Sequence, residues 1–510
     1  MIPWSDLQST ALLGTDRRPL PLDAEDPATA LLDLAAIATV RQRAGARPDP
    51  AVEIPEPAAP DPRPELPTAA SRRLALLLRD RQSSGAAVAN LAELLPQWLA
   101  TARDQGYRAT PALVPELLDA ARARSELRPD AVTLAGPLGG WLAERNHDWR
   151  YVSRTAVQGG QPQTTDQLWH EGLFAERVTH LTRLRRQDPA AARELLRSTW
   201  STERAEDRLL FLDTLQEGLS PADEEFLESA LTDRSKNCRA MAAELLSTLP
   251  GSALGQRMAE RAKAAVRYQD GKLLVTPPAE CDAGMQRDGI APKSPTGRGE
   301  RAWWLGEVIA ATPLALWPQE TGCTPAELLA LPVKDGWTED LHEGWARAAV
   351  RQGDADWARA LLGQVPSSPR PGRQVVQKRQ AERTAGAAAK LLAVLPPAER
   401  AAWTAGYIAG HGLGEAFQAL GACAVPWTPP LSTAVVAALR RTAGSGGYPW
   451  SHSGVLGMTE RALAPETATA VEELAAEAGA DSPWAETFTR LAGTLRFREA
   501  MLAELLRPAA

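Results

Sequence analysis

A chain of 510 residues with 44% hydrophobic and 23% charged residues has enough apolar material for several domains or one long helical array, and global disorder is excluded. Asp and Glu outnumber Lys and Arg by 63 to 56, for a net charge of −7. That balance argues against a dedicated nucleic-acid binder, whose phosphate contacts require a basic surplus.

Residues 1–45 hold a lead broken by glycine and proline, Leu12 to Pro21, and a predicted helix from Ala28 to Ala44. The start, Met1-Ile2-Pro3-Trp4, lacks the basic and apolar regions of a signal peptide, and Asp33 interrupts the first apolar stretch. The expectation is a cytoplasmic protein without a membrane span. Residues 46–68 carry eight prolines, Pro48, Pro50, Pro55, Pro57, Pro60, Pro62, Pro64 and Pro67. Each removes a donor and restricts its predecessor, which predicts a stiff, solvated linker.

Helical periodicity returns over 69–163, where Leu91, Leu94, Leu95, Trp98 and Leu99 share one face, before a stretch from Gly136 to Gln163 that reads as turn-rich. The clearest helical block is 164–268. Leu212, Leu215 and Leu219 make one stripe, Phe226, Leu227, Ala230 and Leu231 a second, and Cys238, Met241, Ala242, Leu245, Leu246 and Leu249 a third. Helices of about 12 to 16 residues with short turns must be antiparallel neighbours. Gln269 to Lys272 then reads as a turn, Leu273 to Thr276 as a short strand, and 269–300 as an irregular, Gly- and Pro-rich insertion. A second helical repeat block occupies 301–510.

Five helices start from nearly the same words: Thr110-Pro111-Ala112, Asp188-Pro189-Ala190, Ser220-Pro221-Ala222-Asp223, Thr324-Pro325-Ala326-Glu327 and Pro396-Pro397-Ala398-Glu399. A side-chain oxygen ahead of Pro meets the orphan amides of a first turn, and Pro lacks the amide that would go unpaired there. Three of these starts take part in an internal echo. Asp188-x-Ala-x-x-Arg193-x-Leu-Leu recurs as Asp354-x-Asp-x-x-Arg359-x-Leu-Leu, and Leu219-Ser-Pro-Ala-Asp223 recurs as Leu395-Pro-Pro-Ala-Glu399. Recurring capped hairpins predict an all-α fold, a HEAT-like α-hairpin solenoid.

Familiar catalytic motifs do not match. Gly271-Lys272 is followed by Leu273 where a phosphate-binding loop needs Ser or Thr, and Gly410-His411-Gly412-Leu413-Gly414 lacks the spacing of a dinucleotide loop. Cys238, Cys281, Cys323 and Cys423 lie far apart, without zinc-ligand spacing, and read as reduced thiols. No cofactor and no metal is expected. Two candidate sites remain. The loop bearing Glu280, Cys281, Asp282, Arg287 and Asp288 offers charge for a partner or an ion, and its acids are oxygen ligands of the type a hard cation takes. Arg177, Arg183, Arg185, Arg186 and Arg193, with Arg379 in a later basic loop, offer a basic face for an acidic partner or a phosphate backbone. Sixteen tryptophans against five Tyr and six Phe add a third signal. Large rings belong in cores by default, and an exposed subset marks an interface.

Leu12-Leu13-Gly14-Thr15-Asp16-Arg17-Arg18-Pro19, Trp200-Ser-Thr-Glu203 with Asp207-Arg208, Leu219-Ser-Pro-Ala-Asp-Glu224, Pro278-Ala-Glu-Cys-Asp282 with Arg287-Asp-Gly-Ile290, and Thr494-Leu-Arg-Phe-Arg498 resemble segments of a family of uncharacterised bacterial proteins that carries only a domain-of-unknown-function label. The resemblance spans nearly the whole length and implies a HEAT-like helical scaffold. It also implies a genomic neighbourhood of MoxR-type AAA+ ATPases, von Willebrand A-domain proteins and SWIM-type zinc-finger proteins. The functional expectation is therefore a non-enzymatic scaffold or adaptor with a protein partner, such as a MoxR-type ATPase or a von Willebrand A-domain protein. A nucleic-acid reader or enzyme using the basic face, and a metal-dependent site on the 280–288 loop, are the alternatives.

Overall fold

The structure, a computed structural model, describes residues 4–20, 24, 26–45, 55–79, 93–152, 168–170, 172–295, 297–363, 386–479 and 481–506. The chain divides into two compact units between Pro60 and Asp61.

The first unit is a helical hairpin. Helix α1 spans Trp4–Leu13 and buries Leu7 and Thr10. Helix α2 spans Pro27–Arg43, and the Asp26 carboxylate accepts from the Ala28 amide at 3.0 Å to start it.

The second unit opens with a bundle of α3 (Thr68–Arg79), α4 (Leu95–Asp104), α5 (Val114–Ala123) and α6 (Arg128–Arg145). Leu74, Trp98, Leu99, Leu117, Leu118 and Leu134, all fully buried, form its core. The stripe read from the sequence is thus the buried face, although Leu91 lies outside the described residues. Of the stretch from Gly136 to Gln163, expected to be turn-rich, the part to Arg145 is instead the second half of α6, His147–Trp149 is a 3₁₀ turn, and residues 153–163 lie outside the described residues. Gly136 breaks the helix at φ 56°, ψ −150°, a conformation open to glycine, and Pro137 restarts it. Because Pro137 has no N–H, the Thr133 carbonyl lacks its helical donor, and Arg63 supplies one at 2.7 Å. Arg63 is held by Asp61 at 2.6 Å, and a Cβ on Gly136 would overlap that carboxylate. From Asp61 onward the proline-rich segment is therefore anchored to the bundle, where the sequence suggested a solvated linker throughout.

The next block stacks α7 (Phe174–Gln187), α8 (Pro189–Thr199), α9 (Ala205–Thr214), α10 (Glu224–Ala230), α11 (Lys236–Ser247) and α12 (Ala253–Ala265). Helices α7, α11 and α12, of 14, 12 and 13 residues, have the expected length, and α8, α9 and α10, of 11, 10 and 7, are shorter, α10 because the 3₁₀ turn Pro221–Asp223 takes residues that periodicity assigns to helix. Helix α9 packs on both α7 and α11, its second neighbours in the chain, while α7 packs on α8 and α10 on α11. Strands β1 (Val266–Gln269) and β2 (Lys272–Val275) follow, antiparallel, with Asp270 and Gly271 both at positive φ as a two-residue hairpin turn requires.

The 269–300 insertion is not wholly irregular, for it contains the short helix α13 (Ala283–Arg287). Beyond it come α14 (Glu300–Ala311), α15 (Leu316–Thr321), α16 (Pro325–Ala330), α17 (Thr338–Gln352), α18 (Ala355–Gly363) and α19 (386–394). Helices α14 and α17 lie close because Gly344 leaves the space that Ile309 fills. Trp317, Trp345 and Trp357 pack in a row, the first pair edge to face at 5.5 Å and the second tilted at 5.4 Å, within one core running from Trp169 to Ala419.

A last bundle comprises α20 (Pro397–Glu415), α21 (Phe417–Gly421), α22 (Pro429–Gly444), α23 (Ser453–Ala462), α24 (Ala468–Ala478) and α25 (Pro483–Ala503), around Ile408, Leu431, Val435 and Phe488. Helix α25 outruns this core. Met501, and Leu505 just past the helix, are fully buried in the α3–α6 bundle instead, and Arg73 pairs with Glu504 at 2.6 Å while lying over the Phe497 ring. Arg498 sits between the two bundles with no exposure, donating to the Leu463 carbonyl beyond α23 at 2.6 Å and to Gln97 of α4 at 3.1 Å. Burial without a carboxylate partner pulls its pKa down to about 10, so it stays a cation at neutral pH and caps the negative end of α23. The first and last bundles of this unit are thereby joined. The fold is all-α apart from the small hairpin, as expected.

Candidate functional site

Of the charged residues singled out by the sequence, Arg185 and Asp288 are buried, and Arg177 and Arg193 are half-buried. Arg185 and Asp223 are both fully buried, and the guanidinium donates to the carboxylate at 2.9 and 3.0 Å. Its remaining N–H groups reach the carbonyls of Glu217 (2.9 Å), Pro189 (3.0 Å) and Gly218 (3.1 Å). Arg193 adds a third donor to Asp223 at 3.1 Å, and the Ser220 amide a fourth at 3.0 Å. Burial works to raise the Asp223 pKa, but these donors, Arg185 foremost, hold it below the usual carboxylate range. Arg185 and Arg193 therefore belong to the interior and not to a basic face. Arg177 is engaged by Glu203 and covers the Trp169 and Phe211 rings. Arg186 pairs on the surface with Glu217 at 2.8 Å. Arg183 is exposed, and Arg379 lies outside the described residues.

The internal echo has a physical meaning. Asp188 and Asp354 each cap their helix, accepting from the amides of Ala191 and Trp357 at 2.9 and 3.0 Å. Arg193 and Arg359, five residues on, each reach across one intervening helix to the acid two residues after the next proline start, Asp223 at 3.1 Å and Glu399 at 2.6 Å. The same clasp is built twice.

The loop acids separate in the same way. Asp288 is buried, and Arg257, Arg261 and Arg287 close on it at 2.8, 2.7 and 3.1 Å, with Arg257 also bridging to Glu228 at 3.0 Å. Burial again opposes ionisation, and the arginine donors overcome it, so Asp288 is held below its ordinary pKa. With its oxygens taken by three guanidiniums it has no lone pair directed at an ion. Asp282 is exposed and caps α13 through the Met285 amide at 2.7 Å, and Glu280 points to solvent. Among the described residues no group of three or more His, Cys, Asp or Glu is placed to hold a metal.

A different surface remains available. Most tryptophans are interior, and Trp98, Trp169, Trp345 and Trp427 are wholly buried. Trp450 is not: it is 63% exposed and stacks on Tyr448, itself 55% exposed, with ring centroids 4.3 Å apart and planes 13° from parallel. The turn that carries them is pinned from below, because the buried Trp484 donates its indole N–H to the Gly447 carbonyl at 2.6 Å. Phe417 is 42% exposed, and its ring lies against Gly454, one turn beyond Trp450; a Cβ at 454 would stand 3.2 Å from that ring. Covering such half-exposed rings, on the order of 100 Å² each, is worth about 2–3 kcal/mol per ring. This patch was missed by sequence reasoning. The signal was present in Gly444-Ser445-Gly446-Gly447-Tyr448-Pro449-Trp450, where two aromatics flank a proline in a glycine-rich turn and cannot belong to a helical stripe.

A family model described as a family of unknown function (DUF5691) matches residues 6–505. No curated protein and no solved structure matches the chain.

Proposed function

We propose that this chain, which belongs to the family of unknown function DUF5691, is a helical scaffold or adaptor that holds a protein partner on the surface of Phe417, Tyr448 and Trp450. The observation that carries the reading is the outward-facing Tyr448–Trp450 stack, fixed to the core by Trp484. Exposed aromatics on a rigid support are the usual anchors of protein interfaces. A binding role in place of turnover is supported by the use made of the charged candidates, since Asp288 is consumed by arginines and Arg177 and Arg185 by acids. A phosphate-binding face finds little support for the same reason, with Arg177, Arg185, Arg186 and Arg193 all paired to acids.

The finer architecture we propose is a HEAT-like hairpin stack over the Trp169–Ala419 core, supported by the repeated clasp and by second-neighbour helix contacts. A cytoplasmic home fits four unpaired thiols, two buried and two half-buried. Among the described residues no helix is long and apolar enough to cross a membrane. The partner class we propose is the one the resemblance implies, a MoxR-type ATPase or a von Willebrand A-domain protein.

Capture of the tagged protein from its own cell lysate at modest salt tests this. A stoichiometric protein partner is expected, and Tyr448→Ala with Trp450→Ala is expected to weaken its binding at least roughly 30-fold, the equivalent of about 2 kcal/mol. A partner retained in full by the double variant would contradict the site.

A further inference from the structure

Helix α2 is apolar on nearly every side, yet none of its described residues is buried. Over Ala28 to Val40 its only charged residue is Asp33. Leu31, Leu34, Ala35 and Ala38 form a half-covered face. The remaining arc carries Thr29, Leu32, Asp33, Ala36, Ile37 and Val40, and Leu32, Ile37 and Val40 are 70%, 50% and 65% exposed. A surface helix of a folded protein normally buries one such arc, and an uncovered one marks an association site.

We propose that this arc is a homodimer interface, occupied by the α2 helix of a second copy in antiparallel orientation about Ile37. The choice of occupant follows from shape and charge. The arc is self-complementary, with small Ala36 between Leu32 and Val40, so the larger side chains of one helix find room beside the Ala36 of the other. A two-helix hairpin that meets its own copy makes four helices, the smallest common bundle with a shared core. The orientation follows from two charges. A parallel pair would set the two Asp33 carboxylates at one level. The antiparallel pair related by a two-fold axis sets each Asp33 beside Arg41 of the other copy, because both lie on the same edge of the arc and at equal distance from the centre. Asp33 and Arg41 are both exposed and available for this pairing. Antiparallel helix dipoles act in the same sense.

The test is sedimentation velocity on the full chain from about 1 to about 100 µM, a range bracketing a modest dissociation constant. The expected result is a monomer–dimer equilibrium. Leu32→Glu or Ile37→Glu is expected to weaken it at least about 100-fold, since each buries an unpaired carboxylate. Asp33→Arg alone is expected to weaken it about tenfold, and Asp33→Arg combined with Arg41→Asp to restore it, since like charges then become opposite again. Unchanged helix content by circular dichroism confirms that the variants fold, as the replaced side chains are exposed and contribute no buried packing. A chain that stays monomeric at about 100 µM overturns the proposal, as does a dimer indifferent to Leu32→Glu. A charge swap that fails to restore association overturns the antiparallel register.

Discussion

Asp223→Ala is expected to destabilise the second unit by about 3–5 kcal/mol, because it leaves the fully buried Arg185 as an uncompensated interior cation. The carboxylate is the hub of four donors, two from Arg185 and one each from Arg193 and the Ser220 amide. Removing it also frees the start of the 3₁₀ turn Pro221–Asp223 that leads into α10. Denaturant titration reads the effect as a lowered midpoint at unchanged slope. The pH dependence has a fixed sign. Since the folded pKa of Asp223 lies below its unfolded value of about 3.9, its stabilisation is complete above that value and is lost as pH falls through the folded one. The variant is therefore expected to show a shallower loss of stability than the parent on acidification below about pH 4. A variant within about 0.5 kcal/mol of the parent at neutral pH would mean that the Arg185 cluster does not hold the block together.

Met501→Ala together with Leu505→Ala is expected to loosen the bundle of α3 to α6, more than three hundred residues earlier in the chain. Both side chains are fully buried in the core of α3–α6, and truncation of a buried Met or Leu costs about 2–5 kcal/mol. The polar ties at this junction, Arg73 with Glu504 and Arg498 with Gln97, do not replace lost apolar contact. Hydrogen exchange should show α3 to α6 losing protection while α20, α22 and α24, whose core contains neither residue, keep theirs. Loosening confined to α25 and its bundle would contradict the assignment of these side chains.

Local grammar was readable from the sequence, and long-range pairing was not. Each of the five Pro-Ala words does start a helix or a 3₁₀ turn, and the Asp270–Gly271 turn gives its two-stranded hairpin, because caps and turns are decided within four residues. Arg185, by contrast, looked like one cation among several in a basic helix. Its burial depends on Asp223 thirty-eight residues away, and no periodicity announces such a pair. Asp288 is the same case, since the arginines that enclose it include Arg257 and Arg261 on a preceding helix. The segments that carried the family resemblance tell a consistent story. Glu203, Arg208, Asp223, Asp288 and Arg498 each supply a buried or half-buried charged contact, so what those segments specify in this chain is architecture. Trp450 was overlooked for the opposite reason. Its surroundings are turn residues, and attention to helical stripes passes over them.

Hydrogen exchange of the full chain with and without its captured partner tests the scaffold reading most directly. Protection on binding is predicted at 447–454 and around Phe417, with the 279–295 loop and the Arg183 helix face unchanged. Protection at that loop or at Arg183 with none around Trp450, or a saturated complex that protects no surface of this chain, would contradict it.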